Sequence, residues 1–113
     1  MKLLLFQVKK KKHMIARIWH GKTSIEMYEP YTDFLKLVAI PDYQQTVGFK
    51  GLTFLRNILN NEGHFTLITY WENFESIKHF AGQDFEKAKY YPEDDNFLLE
   101  FEEKVQHYEV FAS

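Results

Sequence analysis

Two β-rich runs, GLTFLRNI (51–58) and HFTLITYW (64–71), stand on either side of Asn60-Asn61-Glu62-Gly63. Asn and Gly tolerate the left-handed backbone of tight turns, so this arrangement dictates an antiparallel hairpin. A hairpin alone is marginal in water and needs further strands or helices against one face. The rest of the chain supplies them. Met14–His20 (MIARIWH) is β-rich and is expected to end at Gly21. Thr23-Ser24-Ile25-Glu26 has capping-box spacing, which predicts a helix from about Ser24 to Val38 with Tyr31, Phe34, Leu35 and Val38 inward. Pro30 implies a kink or a start near Glu29, and Pro41 and Gly48 bracket a loop. Asn73 caps a second helix carrying Phe74, Ile77, Phe80 and Ala81, closed by Gly82. Asp84 is expected to cap a short further helix stopped by Pro92, and a last strand covers about Lys104–Phe111.

The order is therefore β-α-β-β-α-β. This is an α+β, ferredoxin-like architecture with a four-stranded antiparallel sheet. At 113 residues the chain fits one domain, assigned to 14–113, with residues 1–13 set apart as an N-terminal arm or extension. The opening MKLLLFQVKKKKH has four apolar residues in a row, short of a signal-peptide core of roughly 7 to 15 and of a membrane span of about 20. A soluble, cytoplasmic protein without a membrane partner is the expectation.

Both faces of the strands carry bulk. Phe65, Leu67 and Trp71 oppose Ile68 and Tyr70, while Ile15 and Trp19 oppose Ala16 and Ile18. Helices cover only one face of such a sheet, so the other is expected to pack against a second copy around a twofold axis, or against the arm. Arg17, mid-strand among apolar neighbours, is expected to pair with a carboxylate across that dimer. The net charge of −2 gives no basic face for nucleic acid, and the absence of cysteine excludes disulfides and thiolate chemistry.

MIARIWHGKT (14–23), VGFKGLTFLR (47–56), LITYWENFESIKHFAG (67–82) and KYYPEDDNFLLEFEEKVQHYEV (89–110) together resemble the antibiotic biosynthesis monooxygenase-like family of dimeric α/β barrels, in an uncharacterised subgroup. The resemblance implies a homodimer and a cofactor-independent monooxygenase acting on a small aromatic or polyketide-like substrate. A non-catalytic small-ligand-binding or structural homodimer is the alternative. The family's haem-degrading branch uses an Asn ending the first strand, a Trp on the second helix and, ten residues later, a His on iron. Those places hold His20, Phe80 and Tyr90. None matches, which leaves haem binding a third and weaker reading and no cofactor assigned.

An aromatic content of 18% suits a ring-lined pocket between helices and sheet. His20 and Tyr90 are its candidate catalytic groups, with His20 a base near neutral pH or simply a hydrogen-bonding strand-end residue. Phe34, Trp71, Phe80, Tyr91 and His107 are candidate substrate contacts. His107 and Tyr108 are sequence neighbours in a strand and point to opposite faces, so only one belongs to a given pocket. KYYPEDDNF (89–97) lacks the alternating oxygen ligands and bend glycine of a calcium loop. It reads as a joint whose Tyr90 and Tyr91 plug the gap between helix and sheet, with no metal assigned.

Overall fold

The computed structural model describes residues 13–113; the expected arm lies outside them except for His13. Strand β1 (Ile15–Ser24) is followed by helix α1 (Tyr28–Phe34), a π-helical segment Leu35–Ala39 and helix α2 (Ile40–Gln44). Strands β2 (Phe49–Leu59) and β3 (Glu62–Trp71) form the predicted hairpin, and helix α3 (Phe74–Ala81) follows. The chain closes with the short helix α4 (Asp94–Phe97) and strands β4 (Leu98–Phe101) and β5 (Gln106–Glu109). The antiparallel sheet runs β2-β3-β1-β4, and β5 also pairs with β1. This is the ferredoxin-like order; the sheet does not close on itself.

The hairpin turns through Asn60 and Asn61, both with positive φ (53° and 60°), the primed turn whose twist matches its strands. Strand β1 runs on past the expected stop at Gly21. The Trp19 ring lies over Gly21, where a Cβ would meet it at 2.4 Å, so the glycine makes room within a strand. The Thr23–Glu26 capping box does not form. Thr23 and Ser24 pair with Gly63 and Glu62 in the sheet, and α1 begins at Tyr28 without a side-chain cap.

Pro30 sits in the first turn of α1, where its missing N–H costs little. Pro41, expected in a loop, lies inside α2 directly after the π-helical segment. It offers no N–H to the carbonyl four residues back, and the wider turn makes room for its ring. The extra residue rotates the inward stripe. Ala39 is buried (1% exposed) in the place expected for Val38, which is 40% exposed.

Asn73 Oδ1 accepts the Ser76 amide at 2.9 Å, capping α3 as predicted. The short helix expected after Asp84 is absent. Residues 86–88 instead lie extended beside 103–105, with Ala88 N–H donating to Glu103 O at 2.9 Å and Val105 N–H to Glu86 O at 2.8 Å. The expected last strand, about Lys104–Phe111, forms as the shorter β5; β4 is an additional strand before that range, and the two pair with the two halves of β1.

Phe65, Leu67, Thr69 and Trp71 point under the helices and are buried. Tyr31, Phe34, Leu35 and Ala39 pack against Phe65 and Leu67, while Ile77 and Phe80 pack against Trp71. Tyr43 on α2 links the two clusters, its ring stacked on Phe80 at 4.5 Å. Trp71 and Ile77, both 0% exposed, each contribute about 1.5–3 kcal/mol through burial. The opposite sheet face presents Ile18, Ile68 and Tyr70, half-buried, and Leu55 and Tyr108, exposed. No helix among the described residues is long and apolar enough to cross a membrane.

Candidate functional site

Side chains alternate along β1 and β3, so the odd-numbered residues Arg17, Trp19, Leu67 and Thr69 face the helices. A small cavity of about 40 Å³ lies between them and Tyr31, Phe34 and Tyr43, with Phe80 and Tyr91 also on its wall. Arg17 is 4% exposed at its sheet side. Its guanidinium donates to the carbonyls of Phe85 and of Lys87, the latter at 2.9 Å, and Nη1 lies 3.1 Å from His107 Nε2. A guanidinium only donates, so His107 Nε2 accepts and the imidazole is neutral with its proton on Nδ1. The carboxylate expected for Arg17 across a dimer is replaced by these carbonyls, because the side chain turns inward, under the helices. They also explain the missing helix after Asp84, since they are carbonyls that a helix there would engage.

Burial lowers the Arg17 guanidinium to about 10, partly offset by Tyr43, and burial with the adjacent Arg17 charge lowers His107. Burial raises Tyr43 to about 12 and raises Tyr31 further. Both phenols stay protonated at neutral pH and are hydrogen-bond donors, not bases. No carboxylate forms an ion pair with Arg17 among the described residues. The cavity therefore combines aromatic walls, two neutral phenols and an uncompensated buried cation.

The KYYPEDDNF stretch closes one side. Lys89 Nζ and the Tyr91 hydroxyl both donate to Asp42 Oδ2 on α2, each at 2.6 Å. Lys89 Nζ also lies 4.4 Å from the Phe80 ring centroid, a cation–π contact. Burial opposes ionisation of Asp42, but the Lys89 and Tyr91 hydrogen bonds hold it below the usual carboxylate range. Burial raises Asp94, whose Oδ2 accepts the Tyr91 amide at 3.0 Å. Of the two tyrosines expected to plug the gap, Tyr91 faces the cavity while Tyr90 lies outside it, and the stretch ends in helix α4. An outer pocket of about 290 Å³ shares Trp19, Ala88, Lys89 and Asp94 with the cavity.

Phe34, Phe80 and Tyr91 thus meet at the cavity. Trp71 lies behind it, fully buried against Phe80, and His107 touches it only through Arg17. His20 and Tyr90 are not brought together there. The even position of His20 turns its ring to the other sheet face, where Nδ1 lies 2.9 Å from Glu102 Oε1 beside an open groove of about 630 Å³. In the same groove, His64 Nε2 is buried without a hydrogen-bond partner among the described residues. Tyr90, 49% exposed, lines the outer pocket near Phe101. Of the three places matched to the haem-degrading branch, His20 lines the open groove, Phe80 the inner cavity and Tyr90 the outer pocket, so they do not converge on one haem site.

Sequence reasoning passed over Tyr43, Asp42, Lys89 and Asp94. Tyr43 was hidden by the loop expected after Pro41, and the Asp42 contacts span 47 and 49 residues. Alternation puts Arg17 opposite Ala16 and Ile18, on the face of Trp19, a signal that the expectation of a carboxylate across the dimer overlooked. Among the described residues no group of three or more His, Asp or Glu stands close enough to hold a metal ion.

No family model matches the chain, and no curated protein does. Solved structures do. A protein of unknown function from Nitrosomonas europaea is 12% identical over 90% of this chain and 93% of its own, with a TM-score of 0.65. A Bacillus cereus protein provisionally named an antibiotic biosynthesis monooxygenase is 13% identical over 89% of this chain and 96% of its own, with a TM-score of 0.60. A Streptomyces coelicolor monooxygenase from the gene ActVA-Orf6, solved with the ligand nanaomycin D, is 10% identical over 89% of each chain, with a TM-score of 0.56. At these identities the likeness is one of fold: the chain shares the ferredoxin-like fold of these structures, one of them named an antibiotic biosynthesis monooxygenase and another a monooxygenase.

Proposed function

We propose that this protein is a cofactor-independent monooxygenase for a small aromatic or polyketide-like substrate, bound beneath the helices against Phe34, Phe80 and Tyr91. The observation that carries the reading is Arg17, a buried cation without a carboxylate partner that opens onto an aromatic chamber beside Tyr43. Deprotonating an electron-rich hydroxyaromatic leaves an oxyanion whose charge extends to ring carbon. A guanidinium beside that oxygen stabilises the anion, more strongly out of water than in it. The carbanion form transfers electrons to dioxygen, converting a ring CH₂ to C=O with the second oxygen atom leaving as water. Asp94, on the cavity wall and raised by burial, is the carboxylate available to take the proton.

A second reading is a small-ligand-binding homodimer without turnover. The same alternative includes a purely structural homodimer, and it is that form which the cavity volume of about 40 Å³, far below the roughly 300–1,000 Å³ of small-molecule sites, favours. Oxygen consumption with anthrone and quinol substrates separates the two. The oxygenase reading expects uptake that falls at least tenfold in Arg17→Lys and is unchanged in His20→Ala, whose ring is outside the cavity. No uptake across the panel, with binding retained, supports the second reading.

Both readings include a homodimer, supported by the face bearing Ile18, Leu55, Ile68, Tyr70 and Tyr108, which no helix among the described residues covers, and both keep the expectation of a cytoplasmic protein. Sedimentation at micromolar concentration checks it, and a stable monomer refutes it.

A further inference from the structure

An aromatic ligand cannot enter a chamber of about 40 Å³, which has room for only a few waters. The outer pocket, at about 290 Å³, is just short of the lower bound of roughly 300 Å³ for small-molecule sites. The two share the wall formed by Trp19, Ala88, Lys89 and Asp94. We propose that Lys89–Tyr91 is a gate held shut by Asp42, and that its release joins cavity and outer pocket into one site for an aromatic anion, with Arg17 at the blind end. The inference rests on the cavity being the ligand site.

Three features argue for it. Both side-chain hydrogen bonds that hold the gate converge on a single oxygen, Asp42 Oδ2, so one competitor for that charge frees both side chains; the remaining tether is the Tyr91 amide on Asp94 Oδ2 at 3.0 Å, which opening breaks. The moving unit is short and bounded. Ala88 N–H is anchored on Glu103 O and Asp94 N–H on Tyr91 O, whereas the amides of Lys89 and Tyr90 have no hydrogen bonds among the described residues. On the other side, α2 follows the π-helical segment Leu35–Ala39, a place where a helix adjusts without breaking.

Charge decides the ligand class. Released from Asp42, the Lys89 ammonium becomes a second cation for the ligand, so an anion competes with Asp42 for Lys89 and is then received by Arg17. A neutral ligand has no such leverage on the latch. The Phe80 and Tyr91 rings on either side of Lys89 account for the preference for an aromatic one.

The test uses the anionic dye 8-anilinonaphthalene-1-sulfonate in stopped-flow binding, with hydrogen exchange of the ligand-free protein at the Tyr91 amide. Asp42→Asn removes the charge with little change in shape; Lys89→Met opens the same gate from the other side. The expected result is a dye association rate about tenfold higher in Asp42→Asn and Tyr91 exchange about tenfold faster in both variants. Dye binding by the wild type with neither rate changed in the variants overturns the gate alone. Binding by none of the three forms overturns the joined chamber together with the reading of the cavity as the site.

Discussion

Asn73→Ala removes one oxygen that serves two donors. Asn73 Oδ1 accepts the Ser76 amide and the Ser76 hydroxyl, each at 2.9 Å. Losing the helix cap costs about 1 kcal/mol. Ser76 is 6% exposed, with its hydroxyl lodged against Gly48, so losing its acceptor adds about 1–3 kcal/mol. The expected destabilisation is about 2–4 kcal/mol, read as the shift in urea unfolding followed by tryptophan fluorescence at fixed protein concentration. Two controls separate the contributions. Asn73→Asp keeps the acceptor and adds negative charge at the first turn, so it stays within about 0.5 kcal/mol of wild type. Asn73→Ala with Ser76→Ala leaves no orphaned hydroxyl and returns the loss toward about 1 kcal/mol. A loss below about 0.5 kcal/mol in Asn73→Ala, or a double variant no better than the single, refutes the reasoning.

Gly48→Ala is expected to destabilise by more than about 1 kcal/mol, because φ is +92° there and a Cβ would fall 1.8 Å from Ser76 Oγ; thermal unfolding reads the loss. His107 is lowered in the folded state, which therefore binds fewer protons than the unfolded chain. Stability is present above the ordinary value of 6.5 and lost as pH falls from there toward the folded pKa. Urea midpoints between pH 8 and pH 5 test this, and His107→Gln is expected to flatten that part of the profile. Asp42 is also lowered, so its contribution persists above the ordinary 3.8 and disappears as pH falls below it, a dependence that Asp42→Asn should abolish in acid titration. Ile77→Ala, at a site 0% exposed against Trp71 and Phe80, is expected to cost about 2–5 kcal/mol in urea unfolding.

The amino-acid sequence alone determined what is settled within a few residues. Asn60 and Asn61 specify the turn, alternation assigns the two faces of β1 and β3, and Asn73 caps its helix from three residues away. These local signals suffice for the ferredoxin-like order. Tertiary structure decided the rest, because buried polar groups must be satisfied by whatever the fold brings near. Arg17 found carbonyls 68 and 70 residues away, and in taking them it suppressed a helix that Asp84 and Pro92 favour locally. Ala39 displaced Val38 because the chain widened into a π-helical turn before Pro41. The Asp42 latch joins segments 47 and 49 residues apart, and no spacing rule connects an aspartate in a helix with a lysine and a tyrosine in a distant joint. His20 shows the same division: its place in the first strand was legible, but that the strand runs on to Ser24 and that the helices cover the other side of the sheet were decided by pairing and packing.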